Sequence, residues 1–210
     1  MESPLKAPRA VIFDMDGTIT QPILDFAAIK RRIGAGETPI LEFLASIPDP
    51  ARRRLAREKV DRWEREGALA STLNPGVHEL LDFLRDRRIP VAILTRNTRE
   101  SVDIVLAKHR LRFDLVVTAD DDLPPKPSPE PVRHIARKLA SDPRDVLVVG
   151  DFRFDVECGR AAGAQTAFLR NPINASDDAH ADVVIDDLRE LVDLIGNPAA
   201  PKKKTGGLAP

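Results

Sequence analysis

The most informative stretch of this sequence is Ala10-Val11-Ile12-Phe13-Asp14-Met15-Asp16-Gly17-Thr18. Four apolar residues stop at an aspartate, which is typical of a buried strand that ends at a polar edge of a sheet. Side chains alternate along an extended backbone, so Asp14 and Asp16 are expected to point to the same side. Gly17 then permits a tight turn. At about 4 Å and an effective dielectric of about 20, the two carboxylates repel by about 4 kcal/mol. We therefore expect a nearby cation or a protonated carboxyl group.

Further short apolar runs along the chain predict more strands. They cover residues 91–94, 115–118, 146–149 and, more weakly, 166–169 and 183–185. Between these runs, apolar residues recur at the spacing of one helix face, in sets that begin at Val77, Val102, Val132 and Leu188. Strands that alternate with helices predict an α/β fold whose core is a Rossmann-like parallel sheet.

The segment 21–74 interrupts this alternation, because it contains helical patterns only. We therefore predict an α/β core made of residues 1–20 and 75–196, with a small all-helical cap inserted at 21–74. One predicted helix of the cap, residues 52–65, is highly charged. The acids Glu58, Asp61, Glu64 and the adjacent Glu66 are interleaved with arginines. This pattern favours a solvated, ion-paired helix over a nucleic-acid-binding patch. Residues 197–210, rich in Pro, Ala, Lys and Gly, are predicted to be a disordered tail.

The overall composition narrows the class of protein. The chain has 210 residues, 42% of them hydrophobic and 31% charged, which suits a packed core without a metal or disulfide staple. A net charge of −1 predicts no broad attraction to nucleic acid or to an acidic membrane. The single cysteine, Cys158, cannot form an intrachain disulfide, which fits a reducing compartment. We predict a cytoplasmic protein without a membrane or nucleic-acid partner, and the oligomeric state is left open.

Polar residues follow several of the predicted strands. Ligands of parallel α/β folds bind at the carboxyl ends of strands, where Asp14, Thr95 and Asp151 are expected. Asp155 follows four residues after Asp151, and such a set of oxygen donors suits Mg²⁺. Thr95 and the following Arg96 lie at a helix start, where a hydroxyl and free backbone N–H groups can hold phosphate oxygens.

Lys126 is the last of the candidate site residues. Lys126 lies in a proline-rich loop, Pro124-Pro125-Lys126-Pro127, that would present its ammonium group to an anion at modest entropic cost. Four segments then occur in order along the chain: Asp14-x-Asp16-Gly17-Thr18, Leu94-Thr95, Lys126-Pro127 and Gly150-Asp151-x-x-x-Asp155. This ordered set resembles the haloacid dehalogenase-like hydrolase superfamily, over roughly residues 10–168. The run 156–164 and the position of the helical insert are similar to its phosphoglycolate phosphatase-like branch, although this cap is short.

The resemblance implies a role for each matching residue. Asp14 would be the nucleophile that forms an aspartyl-phosphate, and Asp16 would be the general acid and base. Magnesium would be held by Asp14, the backbone carbonyl of Asp16 and Asp151, with Asp155 supporting it through contact with its ligands or through water. Thr95 and Lys126 would bind the transferring phosphoryl group. Phe152 departs from the small polar residue that the family often has after the Gly-Asp pair, which affects the choice of substrate more than the chemistry.

We therefore predict a magnesium-dependent phosphatase that acts on a small phosphorylated metabolite. The leaving group is left unspecified, because the cap and loops define it. A sugar-phosphate mutase of the same superfamily remains an alternative within the enzymes. A non-catalytic phosphate-binding or regulatory module is the alternative from another class.

Overall fold

The computed structural model describes residues 5–174 and 180–196, and its centre is a β-sheet. Six parallel strands lie in the order β3-β2-β1-β4-β5-β6. Their bounds are Ala10–Phe13 (β1), Val91–Leu94 (β2), Leu115–Val117 (β3), Val146–Gly150 (β4), Gln165–Leu169 (β5) and Val183–Ile185 (β6). The predicted Rossmann-like parallel sheet is confirmed. The strand order reverses at β1 and β4, and such switch points are where parallel sheets bind ligands.

The helices lie where the apolar spacing predicts them. Their bounds are Phe26–Ile33 (α1), Ile40–Ser46 (α2), Pro50–Ala70 (α3), Val77–Asp86 (α4), Arg99–His109 (α5), Glu130–Lys138 (α6), Arg153–Ala162 (α7) and Arg189–Gly196 (α8), with one 3-10 turn at Pro143–Asp145. The helix α3 is longer at both ends than the predicted range 52–65. At its start, Asp49 caps the first turn and Pro50 suits the first position. Among the described helices, none has the length and apolar character that crossing a membrane requires.

The sheet is buried on both faces. Along β1, Val11 and Phe13 pack on the side of α4 and α8, in one cluster of buried side chains. Ala10 and Ile12 point to the opposite face and join a second cluster with residues of α6 and α7. A strand that is covered on both sides has no polar face, which explains why β1 and β4 read as continuous apolar runs.

The three helices α1 to α3 form a separate small cluster around Ile29, Leu44 and Val60. Two chain segments connect these helices to the sheet, and they meet where Thr20 forms an isolated β-bridge with Leu73. Helix α3 also packs beside α5, which follows β2. The division into a core and a cap stays a prediction, and the predicted tail at 197–210 lies outside the described residues.

One expectation about α3 is partly wrong. Glu64 was expected on a solvated face, but its side chain is buried, whereas Glu58 on the same helix is exposed. The reason is the contact of α3 with the first turn of α5, where Glu64 Oε2 accepts a hydrogen bond from the backbone N–H of Thr98 at 3.0 Å. The alternation of charges along α3 gives no sign of such a neighbour.

Candidate active site

The predicted site residues converge at one edge of the sheet. Asp14, Thr95 and Asp151 directly follow the adjacent strands β1, β2 and β4. The backbone N–H of Asp14 donates to the carbonyl oxygen of Val149, which continues the ladder between β1 and β4 by one residue. The same ladder geometry that aligns the strands therefore aligns the polar residues beyond them.

Three carboxylates meet at this edge. Asp14, Asp151 and Asp155 each offer one oxygen, and these oxygens lie within 4.8 Å of one another. Burial raises the pKa of Asp151 to about 8, and the charges of Asp14 and Asp155 act in the same direction. Three hard oxygen donors at this spacing fit Mg²⁺, whose charge would offset their repulsion. The arrangement also explains Gly17, which has φ +83° and whose Cβ, if present, would lie 2.1 Å from Asp151 Oδ2.

Lys126 is buried between two of these carboxylates. Its Nζ lies 2.6 Å from Asp14 Oδ1 and 2.5 Å from Asp155 Oδ1. Burial opposes the ammonium charge, but the two carboxylates hold the pKa of Lys126 above its usual value. Asp155 also accepts a hydrogen bond from the backbone N–H of Phe152 at 3.1 Å, at the start of α7. The sequence-predicted lysine and both aspartates are thus in direct contact, while the metal role of Asp155 stays a prediction.

Asp16 lies in a different environment from Asp14. Its Oδ2 accepts a hydrogen bond from Asn97 Nδ2 at 2.6 Å, and its Oδ1 accepts one from Thr20 Oγ1 at 3.2 Å. Burial raises the pKa of Asp16 to about 6, against the lowering effect of the Asn97 hydrogen bond. Two neighbouring carboxyl groups with different partners are suited to different chemical tasks.

The two residues that directly follow β2 have different partners. Thr95 is buried, and its Oγ1 accepts a hydrogen bond from the backbone N–H of Asn97 at 3.2 Å. Arg96 turns toward α2, where its Nη2 lies 2.5 Å from Glu42 Oε2, and its Nη1 donates to the carbonyl oxygen of Lys126. The side chain of Arg96 is therefore already paired, and its predicted contact with phosphate stays untested.

Two asparagines hold Asp151, and sequence reasoning did not identify them. Asn171 Nδ2 donates to Asp151 Oδ2 at 2.7 Å, and Asn174 Nδ2 donates to the carbonyl oxygen of Asp151 at 2.6 Å. Both residues follow β5, the neighbour of β4. Because ligands of parallel sheets bind at the carboxyl ends of strands, the residues after β5 could have been identified as candidates from the sequence. The side-chain contact of Asn97 with Asp16, by contrast, depends on the conformation of the loop.

We expect the Glu64→Gln variant to be more stable than the parent near neutral pH. Burial raises the pKa of Glu64 from 4.5 to about 7. This carboxyl group therefore ionises at a lower pH in the unfolded chain than in the folded chain. The free energy of unfolding then falls as the pH rises through that interval, by up to about 3 kcal/mol in full. Gln stays neutral, can still accept the hydrogen bond of Thr98, and avoids the charges of Asp16 and Asp61, which oppose ionisation of Glu64.

Urea unfolding of the parent and the variant at about pH 5 and about pH 8 measures this effect. The free energy of unfolding of Glu64→Gln should exceed that of the parent clearly at about pH 8 and only slightly at about pH 5. Glu58→Gln, an exposed position on the same helix, serves as the matched control and should change little at either pH. A Glu64→Gln variant that is less stable than the parent at about pH 8 would contradict the burial of an ionisable group there.

Comparisons with known proteins agree with this geometry. The family model described as haloacid dehalogenase-like hydrolase matches residues 8–163. A Saccharomyces cerevisiae protein named as a hydrolase is 33% identical, over 92% of this chain and 93% of its own length. The N-acetylmuramic acid 6-phosphate phosphatase of Pseudomonas aeruginosa is 31% identical, over 89% of this chain and 94% of its own length.

A solved structure extends the likeness to three dimensions. A HAD-superfamily hydrolase from Geobacter sulfurreducens superposes with a TM-score of 0.63 at 27% identity, covering 93% of this chain and 100% of that one. Sequence, fold and the order of the strand-end residues therefore point to one group of enzymes. The chain belongs to the haloacid dehalogenase-like hydrolase family.

Proposed function

We propose that this enzyme is a magnesium-dependent phosphatase that hydrolyses a small phosphate monoester through an aspartyl-phosphate on Asp14. The observation that carries the proposal is the contrast between two neighbouring carboxyl groups. Asp14 contacts the buried Lys126 and belongs to the acidic cluster, whereas Asp16 is held apart by Asn97 and Thr20. A relative whose name includes a 6-phosphate phosphatase activity supports the same reaction class.

In the proposed reaction, a carboxylate oxygen of Asp14 attacks phosphorus and the bond from phosphorus to the ester oxygen breaks. Asp16 gives its proton to the departing alkoxide. It then takes a proton from the water that attacks the aspartyl-phosphate, which releases inorganic phosphate and restores both residues. Lys126 neutralises negative charge on the phosphoryl group, and the hydroxyl of Thr95 donates a hydrogen bond to it.

The proposed metal ligands are the side chains of Asp14 and Asp151 and the backbone carbonyl of Asp16, with Asp155 acting directly or through water. The oxygen-only donor set and its 4.8 Å spacing support this assignment. A bound Mg²⁺ would withdraw charge from the phosphoryl oxygens and offset the repulsion among the carboxylates. Asn171 would keep Asp151 oriented, because it donates to the same carboxylate at 2.7 Å.

The helices α1 to α3 are proposed to act as a cap over the strand ends. Three contacts support this role: Glu42 with Arg96, Arg57 with Asp120, and Glu64 with the backbone of Thr98. Each joins one of these helices to a loop that follows β2 or β3 at the edge where the acidic cluster lies. Such a cover would exclude water while the phosphoryl group transfers.

A phosphate-release assay tests the proposal. With an aryl phosphate and Mg²⁺, we expect many turnovers per enzyme molecule, and a chelator should abolish them until Mg²⁺ is restored. Ca²⁺ is the matched control, because it also takes oxygen ligands but accepts looser geometry. Release of inorganic phosphate separates a phosphatase from a mutase, which would return an isomerised sugar phosphate. Activity that is unchanged by the chelator, or at most one equivalent of phosphate, would contradict the proposal.

A further inference from the structure

The side chain of Arg96 joins three segments of the chain that meet beside the proposed phosphate site. Its Nη2 lies 2.5 Å from Glu42 Oε2 of α2, and its Nη1 donates to the backbone carbonyl oxygen of Lys126. Its guanidinium carbon also lies 5.2 Å from the ring centroid of Phe154 in α7. Because only 19% of the Arg96 side chain is exposed, these contacts are partly shielded from water, which strengthens them relative to contacts on the open surface.

The loop that carries Lys126 has few other backbone contacts. Proline has no N–H group, so within residues 124–129 only Lys126 and Ser128 have a backbone donor. The N–H of Ser128 stays inside the loop, where it donates to the carbonyl oxygen of Pro125 at 3.0 Å, and the carbonyl oxygen of Ser128 accepts from Cys158 Sγ at 2.9 Å. Among the described residues, the guanidinium of Arg96 is the one hydrogen-bond donor to the carbonyl oxygen of Lys126.

We propose that Arg96 is a positioning residue that holds Lys126 in place for phosphoryl transfer, and that Glu42 holds Arg96 in turn. This inference rests on the proposed function, because it requires Lys126 to neutralise the transferring phosphoryl group. Arg96 needs no contact with the substrate for this role. The ion pair between α2 and the residue after Thr95 then serves to align a charged side chain at the reaction centre.

The need for a second hold on Lys126 follows from the proposed reaction. Before transfer, Nζ of Lys126 is held by Asp14 at 2.6 Å and by Asp155 at 2.5 Å. When Asp14 forms its bond to phosphorus it loses its carboxylate charge, so one of these two contacts weakens at the step where the ammonium charge is needed. The contact of Arg96 with the Lys126 backbone does not involve the reacting atoms. A misplacement of about 1 Å in a positioned group can cost about 10²-fold in rate.

Glu42 matters because a guanidinium group is a rigid, planar fork. When Glu42 fixes the Nη2 arm, the Nη1 arm is directed at the carbonyl oxygen of Lys126 without further loss of freedom. The carboxylate also supplies the counter-charge for a largely buried guanidinium. Replacing Glu42 by Gln keeps an oxygen that can accept from Arg96 but removes this charge, so the hold on Arg96 becomes weaker.

The test measures kcat and KM for an aryl phosphate with the Mg²⁺-loaded parent, Arg96→Gln and Glu42→Gln. Arg96→Gln should lower kcat by about 10- to 100-fold and change KM by less than about threefold, and Glu42→Gln should lower kcat by a smaller factor. Arg65→Gln is the matched control and should leave both constants unchanged. Arg65 of α3 also forms an ion pair with the core, at 2.9 Å from Glu100 of α5, but this pair is exposed and does not contact Lys126.

Arg96→Gln is then combined with Lys126→Met. Once the ammonium group is gone, Arg96 has no charge left to position, so the double variant should match Lys126→Met in kcat within about twofold. An arginine that binds phosphate directly would instead give a further loss in the double variant, a raised KM in Arg96→Gln and no loss in Glu42→Gln. That pattern would overturn the inference, as would a kcat of Arg96→Gln equal to the parent's.

Urea unfolding in a chelator gives a readout that does not depend on turnover. The free energy of unfolding lost by Arg96→Gln should be smaller in the Lys126→Met background than in the parent, because the contacts that Arg96 supports are already absent there. If the parent hydrolyses no phosphate ester, the proposed function fails, and this comparison still tests the link between Arg96 and Lys126. Equal losses in both backgrounds would overturn that link.

Discussion

The Asp14→Asn variant is expected to lose phosphatase activity by at least about 10⁴-fold in kcat. An amide oxygen is a poor nucleophile, whereas the carboxylate of Asp14 is held 2.6 Å from the ammonium group of Lys126. Asn has nearly the same size and its carbonyl oxygen can still accept a hydrogen bond from Lys126. The loss should therefore be chemical and should not come from unfolding. Phosphate release measured with saturating Mg²⁺ and substrate checks the effect on kcat.

Asp103→Asn is the matched control for this experiment. Asp103 is an exposed aspartate of α5, away from the strand ends, and the same substitution there should leave kcat unchanged. Circular dichroism and urea unfolding of both variants establish that each is folded. An Asp14→Asn variant that keeps activity close to the parent's would show that Asp14 is not the nucleophile.

The second large effect is expected for Lys126→Met, on activity and on stability together. Met fills a similar volume but removes the cation that separates Asp14 from Asp155, and both carboxylates then lose a partner within 2.6 Å. Breaking a buried ion pair by removing one partner costs about 3 kcal/mol or more. Because Lys126 is proposed to neutralise charge on the phosphoryl group, its loss should also lower kcat by about 10²- to 10³-fold.

Urea unfolding in the presence of a chelator measures the stability effect, because no added cation can then replace the ammonium group. Lys138→Met, an exposed position at the end of α6, is the control and should change the free energy of unfolding by less than about 0.5 kcal/mol. A Lys126→Met variant with the parent's stability and kcat would mean that the contacts of Lys126 with Asp14 and Asp155 have little energetic weight.

Much of the fold could be predicted because the sheet is covered on both faces. Strands such as Val146–Gly150 then read as uninterrupted apolar runs, and the intervening helices keep one apolar face. The site followed from a single rule about strand ends, which brought Asp14, Thr95 and Asp151 together before any geometry was known. The loop of Lys126 lies farther from its strand, and the prolines around this residue together with its place in the ordered set of segments singled it out.

The contacts that the sequence did not predict depend on how separate elements meet. The ion pair of the Arg96 guanidinium with Glu42, a residue of α2 that is 54 positions away, could not be predicted, while the contact of Arg96 with phosphate stays a prediction. Glu64 was expected in solvent and is buried against the first turn of α5. In both cases the deciding fact is how α2 and α3 pack against the residues that follow β2, and hydrophobic periodicity within one helix carries no information about that.

Trapping the aspartyl-phosphate on Asp14 is the sharpest test of the proposed reaction. The substrate carries radiolabelled phosphate, turnover is stopped in acid during the first cycle, and the labelled peptide is identified for the parent and for Asp16→Asn, in which release of the phosphoryl group should be slowed. We expect label on the peptide that contains Asp14, loss of this label when the parent is chased with unlabelled substrate, and no label in Asp14→Asn. Label on another residue would contradict it, as would phosphate release without labelled protein in both the parent and Asp16→Asn.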